Sequence, residues 1–196
     1  VVFFDRVLDH PACTHIVIDH YKDGYRATKH LIEQGSKKLL HVTGSLKRNV
    51  YSDRLRGFES AIRESGLVFS DESVLVTRFD EDVSNLVVET IEEMKEKPDG
   101  IFFANDTSAA ATITLLKKQG YKIPEDIAII GFNDEPIAKV VEPNLSTIHY
   151  PAIAMGEMAA QTIINYLNNV QNVQQGSTIV LRSELVGRES SLRIRS

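Results

Sequence analysis

The chain has 196 residues, a formal net charge of −5, 42% hydrophobic residues and 25% charged residues. That is ordinary globular composition. It argues against a surface built chiefly to hold nucleic-acid phosphates, which is basic. No apolar run approaches the roughly 20 residues that a membrane-crossing helix needs. The one cysteine, Cys13, excludes an internal disulfide and fits a reducing compartment.

In chain order, strand patterns alternate with amphipathic helix patterns. Val1 to Phe4 and Ile16 to Ile18 are short continuous apolar runs of the kind a buried parallel strand requires. Asp23 to Gln34 has helical spacing, with Tyr25, Thr28, Leu31 and Ile32 inward and Gly35 as a left-handed stop. Leu39 to Thr43 is a strand closed by Gly44. Ser52 or Asp53 caps a helix with inner face Leu55, Phe58 and Ile62, ending at Gly66.

Val74 to Val76 is the next strand. Ser84 caps a helix with Leu86, Val87, Ile91 and Met94 inward. Ile101 to Ala104 is a strand, and Asp106 or Thr107 caps a helix carrying Ala109, Ala110, Ile113 and Leu116. Ile127 to Ile130 is a strand closed by Gly131. An irregular stretch, Phe132 to Asn144, leads to an extended piece, Leu145 to Tyr150. A helix after Pro151 carries Ile153, Ala159, Ile163 and Leu167 inward, and Thr178 to Val186 reads as edge strands.

This alternation predicts an α/β fold of two Rossmann-like lobes, with parallel sheets joined by right-handed crossovers and a ligand cleft between the lobes. The polar break from Gly44 to Tyr51 and the run His149 to Pro151 are the candidate passages between lobes. The division implied by the family resemblance given below assigns residues 1–44 and 151–172 to an N-terminal lobe. It gives residues 48–148 and 177–188 to a C-terminal lobe, with crossovers near 45–47, 149–150 and 173–176.

Catalytic signatures are missing from the sequence. There is no G-x-G-x-x-G after a strand, no P-loop at Thr43 to Lys47, no G-x-S-x-G elbow, and no metal-binding histidine spacing. Cys13 beside His15 reads as a small structural residue. No enzyme, cofactor or metal is expected.

The polar residues that follow strands carry more information. Asp19 follows the second strand, Asn105-Asp106 follows Phe102 to Ala104, and Asn133-Asp134 follows Gly131-Phe132. Arg54 sits early in a helix. In an open α/β sheet such positions face one crevice, where carboxylates, amides and a guanidinium form a fan of donors and acceptors. That set suits a polyhydroxylated ligand or a purine. Phe79 offers an aromatic face for stacking on a sugar or base. The plainer alternatives stand beside these readings: Asp106 and Asn133 as caps or turn formers, and Phe79 as a loop anchor.

Several segments resemble the lac repressor (LacI/GalR) family of regulators. Asp53-Arg54-Leu55-Arg56-Gly57-Phe58 followed by Ala61-Ile62 is similar to its R-x-x-G-F…A-L element. Phe103-Ala104-Asn105-Asp106-Thr107-Ser108-Ala109 is similar to F-x-x-N-D-x-x-A. Gly120 through Asp134 is similar to G-x-x-V-P-x-D-x-x-V-x-G-F-D-D. Pro143 to Ile148, Met155 to Ala159, Val2 to Arg6 and Leu31 to Gly35 also match, in order along nearly the whole chain.

The resemblance implies an effector-binding and dimerisation domain, similar to periplasmic sugar-binding proteins, from a cytoplasmic transcription regulator, usually a repressor. Its partners would be a small polar effector (a sugar, sugar derivative or purine), a second copy of the chain, and operator DNA read by a headpiece outside this sequence. The start of the N-terminal lobe would also lie outside it. By the same resemblance Arg54, Asn105 and Asn133 fall on effector-contacting positions. Phe79 falls near the stacking aromatic, and Tyr150 falls at a crossover that can face the ligand. Asn133 departs from the family's usual aspartate, and Asp19-His20 stands where Asp-Asn is common. A free-standing solute-binding protein of a sugar transporter shares the fold and is the alternative. An upstream helix-turn-helix or signal peptide discriminates the two.

Overall fold

The computed structural model describes residues 1–7, 10, 13–79, 82–168 and 176–193. In chain order its elements are β1 (Val2–Phe4), β2 (Thr14–Ile18), α1 (His20–Glu33), β3 (Leu39–Thr43), α2 (Asn49–Glu64), β4 (Val74–Val76) and α3 (Val83–Glu93). There follow β5 (Gly100–Phe103), α4 (Asp106–Lys118), β6 (Ala128–Asn133), β7 (Ser146–His149), α5 (Ala152–Leu167), β8 (Thr178–Leu181) and β9 (Glu184–Val186). Short 3-10 turns at Asp71–Ser73 and Pro136–Lys139 complete the described structure. The fold is α/β with mostly parallel sheets.

The chain divides into two compact units. One comprises Val1–Asp19 and Tyr150–Ser183, the other His20–His149 and Glu184–Ser196. The larger unit holds a six-stranded sheet in the order β4-β3-β5-β6-β7-β9, parallel except where β9 runs antiparallel to β7. Every residue of β3 and β5 is buried, as a parallel strand covered on both faces requires. On one face Val87, Val88 and Ile91 of α3 and Ala109, Ile113 and Leu116 of α4 pack with Val42, Ile101, Phe103 and Ile129. On the other face His41 stacks on Phe102 at 4.5 Å and meets Phe58 of α2 at 5.2 Å.

Helices α1 and α2 approach closely through two glycines. A Cβ on Gly24 would strike the Arg54 backbone, and one on Gly57 would strike the Tyr21 carbonyl oxygen, so both positions need the bare backbone. The tail is bonded into the same unit. Ser190 Oγ donates to the Ile129 carbonyl at 2.6 Å, and Arg193 donates to the carbonyls of Pro124 and Asp99.

The smaller unit holds a parallel sheet in the order β1-β2-β8. Helix α5 packs on β1 and β2, burying Met155, Ala159 and Thr162.

Several sequence expectations are corrected here. Leu39–Thr43 pairs with both β4 and β5, so residues 20–44 belong to the larger unit. The first passage falls at Asp19/His20 and not at 45–47, a segment that joins β3 to α2 within one unit. Thr178–Leu181 pairs with β2, so the last passage falls at Ser183/Glu184, and 173–175 lie outside the described residues. Helices α1 and α2 start at His20 and Asn49, earlier than their capping signals suggested. Tyr25 and Ile32 are half-buried, because Gly24, Ala27, Thr28 and Leu31 take the packed side of α1. In α2 the inward position goes to Arg54, and Leu55 is half-buried. Leu86 faces solvent, as do Ile153, Ile163 and Leu167 of α5. Residues 132–144 are less irregular than expected, since β6 runs on to Asn133.

Candidate functional site

The carboxyl ends of β3 to β7 carry the larger unit's candidate residues, as the topology of an open parallel sheet requires. Arg54 enters from the first turns of α2 and is 4% exposed. Its Nη1 donates to the Ala104 carbonyl at 3.0 Å, just past β5. Its Nε donates to His20 Nδ1 at 3.2 Å. The guanidinium carbon lies 3.4 Å from the centroid of the Phe132 ring and 5.9 Å from that of Tyr51, so the plane is stacked as well as hydrogen-bonded.

His20 is an unadvertised member of this group. Accepting at Nδ1 puts its proton on Nε2. That Nε2 is buried without a hydrogen-bond partner among the described residues, as are His41 Nε2 and Thr43 Oγ1. Burial first, and then the Arg54 charge, depress the His20 pKa to about 3. Burial likewise lowers His41 to about 3, against its hydrogen bond to the Phe102 carbonyl. Both imidazoles are therefore neutral around a buried cation.

Asn105 is the N-cap of α4, its Oδ1 accepting from Ser108 N at 2.8 Å. The cap is thus Asn105, and not Asp106 or Thr107 as the sequence suggested, because α4 already begins at Asp106. Phe79 has φ +54, its ring lies 5.8 Å from Tyr51, and it packs on the core cluster. Phe79 and Asn105 nevertheless share the wall of one depression of about 380 Å³, together with Val83, Thr107, Ala111 and Glu135.

Asn133 and Asp134 sit at the end of β6 with φ +116 and +57. A side chain other than glycine holds such a backbone only when its surroundings over-determine it, and here they do. Buried Asp106 accepts from the Glu135 backbone N–H and from Thr147 Oγ1, each at 2.7 Å. Arg188 Nη2 donates to Asp134 Oδ1 at 2.6 Å. A Cβ on Gly131 would collide with the Asp106 carboxylate. Burial drives the Asp106 pKa up to about 6, against its two hydrogen bonds. Burial alone would also raise Asp134, but the hydrogen bond and charge of Arg188 hold it below the usual carboxylate range. Asn133 Nδ2 donates to Glu135 Oε1 at 2.9 Å, and Thr107 Oγ1 donates to Glu135 Oε2 at 2.8 Å.

Two expected residues lie in the smaller unit. Asp19 follows β2 and is exposed. Tyr150 Oη donates to Asp5 Oδ1 at 2.9 Å and lies 2.9 Å from Met155 Sδ. The structure thus brings Arg54 beside Phe132 and Tyr51, Phe79 beside Asn105, and Asn133 beside Glu135. Sequence reasoning missed His20, Tyr51, Glu135 and Asp5. Asp5 and Glu135 each had a signal available, a carboxylate placed just beyond a strand.

Comparison with known proteins identifies the family to which this fold belongs. A family described as a periplasmic binding protein-like domain matches residues 28–191. The ribose operon repressor of Haemophilus influenzae is 32% identical over 167 residues, 85% of this chain and 50% of that protein. The HTH-type transcriptional repressor PurR of Haemophilus influenzae (strain PittEE) is 34% identical over 181 residues, 91% of this chain and 54% of the repressor. The chain therefore spans about half the length of the curated relatives it matches.

Among solved structures, the transcription regulator CcpA of Lactococcus lactis superposes with a TM-score of 0.87 at 25% identity, covering 97% of this chain and 69% of that one. A periplasmic binding protein/LacI transcriptional regulator from Alkaliphilus metalliredigens QYMF, complexed with D-xylulofuranose, gives 0.84 at 26% identity, covering 98% and 70%. The chain belongs to the periplasmic binding protein-like domain family, in the form found in LacI-family regulators.

Proposed function

We propose that this chain is the ligand-sensing part of a cytoplasmic DNA-binding transcription regulator, a repressor that works as a homodimer and responds to a small neutral polar molecule. The observation that carries the reading is the set of side chains on one sheet edge. Arg54 is stacked and oriented, Phe79 and Asn105 share a depression, and Asn133 is held at the end of β6. A guanidinium with fixed orientation, amides and an aromatic face are the groups that recognise a polyol or a purine, and no redox or nucleophilic group is needed for that task. The repressor relatives point to regulation as the use of such binding, with a sugar as the first choice of ligand and a purine as the second. Asp19 and Tyr150, which lie in the smaller unit, are proposed as ligand-binding residues of that unit. Operator DNA would be held by sequence other than these residues, whose balance is acidic.

A thermal-shift screen against pentoses, hexoses, disaccharides and purines tests the reading, because a ligand that binds only the folded state raises its melting temperature. A shift with one class, removed in Arg54→Ala, is the expected result. An unchanged shift in that variant would take Arg54 out of the site.

A further inference from the structure

The depression shared by Phe79 and Asn105 has one charged wall among the described residues that line it, Glu135. The Glu135 carboxylate already accepts from Asn133 Nδ2 and Thr107 Oγ1, one bond to each oxygen. A carboxylate has about four lone-pair sites, so two hydrogen bonds leave it able to take donors from a ligand. The same contact turns an amide hydrogen of Asn133 onto Glu135 and leaves the Asn133 carbonyl oxygen as an acceptor. The neighbourhood adds further negative charge. Glu135 and Asp134 both lie close enough to Asp106 for their charges to raise its pKa. Arg188, which could balance them, donates to Asp134 and to the Leu145 carbonyl. Arg54 is not among the described residues that line the depression, so its proposed contact with a ligand lies beyond the wall that Glu135 forms. Its guanidinium is directed to Ala104 and His20 and covered by Phe132.

An aromatic face beside acceptors and a negative charge fits a ring that carries hydroxyl or ammonium donors. It opposes a ring that carries a phosphate, because like charges brought together away from bulk water repel. We propose that Glu135 sets the charge selectivity of this depression, admitting a neutral or amine-bearing sugar or nucleoside and turning away its phosphorylated form. The inference rests on the ligand-sensing reading above and narrows its ligand class.

Matched compounds test it on the 196-residue chain. These are D-ribose with D-ribose 5-phosphate, D-glucose with D-glucosamine and D-glucose 6-phosphate, and adenosine with adenosine monophosphate, each followed by melting and by calorimetric affinity. In whichever set responds, the phosphorylated member should bind at least about tenfold more weakly than its neutral parent. Glu135→Gln keeps the size and an acceptor oxygen but removes the charge. In that variant, checked for folding by its melt without ligand, the gap between neutral and phosphorylated members should shrink, and any advantage of D-glucosamine should shrink with it. A phosphorylated member binding as well as its parent in the natural sequence overturns the inference while leaving the sensor reading in place, and so does a gap unchanged by Glu135→Gln. Silence from every compound overturns both.

Discussion

The two sheets solve the same packing problem to different degrees. In the larger unit β3 and β5 are buried along their whole length, and five of the six residues of β6 are buried. Helices α1 and α2 cover one face and α3 and α4 the other. In the smaller unit Phe4 of β1 and Val180 of β8 are 56% and 59% exposed, and α5 turns Ile153 and Leu167 outward. Parallel strands are stable when both faces are covered. The larger unit thus closes its own core, and the oriented groups of the candidate site stand on it. The smaller unit leaves apolar surface in contact with solvent.

The sharpest way to break that contrast is a cavity in the larger core. Phe103 is fully buried in β5, within the cluster formed with α3 and α4. Phe103→Ala should cost about 3–5 kcal/mol, the range for deleting a buried aromatic ring, read from denaturant melts. A cost below 1 kcal/mol would show that this core relaxes as freely as a surface, and the contrast between the units would fall.

The next effect is a pH dependence carried by the larger unit. His20 and His41 have folded pKa values near 3, well below the ordinary imidazole value of 6.5. Below 6.5 the unfolded chain takes up two protons that the folded chain refuses, so stability falls as pH drops. His30, lowered by burial, adds to the same trend. Asp106 acts in the opposite sense. Its folded pKa of about 6 lies above the ordinary 3.8, so the folded form binds one proton more than the unfolded form between those values. Its contribution is present at low pH and is lost as pH rises through about 6. Two histidines outweigh one carboxyl, and the melting temperature should therefore decline from pH 6.5 toward pH 4. Replacing His41, which lies in the core away from Arg54's hydrogen bonds, by Phe should flatten the decline in proportion. A melting temperature that rises over this range would mean that these imidazoles are solvated.

How far the sequence discloses all this depends on the range of the interaction that decides each feature. The order of strands and helices was legible, because apolar runs and their spacing act locally. The positions of Asn105 and Asn133 after their strands were legible for the same reason. The passage between units was not. Leu39–Thr43 reads as a buried strand in either sheet, and only its pairing with β4 and β5, up to 61 residues away along the chain (His41 with Phe102), assigns it. Arg54 was legible as a polar residue early in its helix but not as a buried one. Helical periodicity put Leu55 inward, whereas the hydrogen-bond acceptors at Ala104 and His20 draw the guanidinium in. Glu135 was overlooked because its importance comes from Thr107 and Asn133, which reach it from both sides, and no spacing rule encodes that meeting.

The smallest expected effect tests the smaller unit. Periodicity put Ile153, Ala159, Ile163 and Leu167 of α5 inward. Ile153, Ile163 and Leu167 form the more apolar side, yet Met155, Ala159 and Thr162, three and four residues apart, are the ones covered. Those three face β1 and β2, on which the helix packs. Ile153 is 80% exposed, so Ile153→Ser removes almost no buried area and should change stability by no more than about 0.5 kcal/mol. That result would show the exposed stripe to be true surface for this chain in solution. A loss of about 2 kcal/mol or more, as for truncation of a buried isoleucine, would mean instead that the stripe is covered in solution, and the contrast between the two units would then belong to the isolated chain alone.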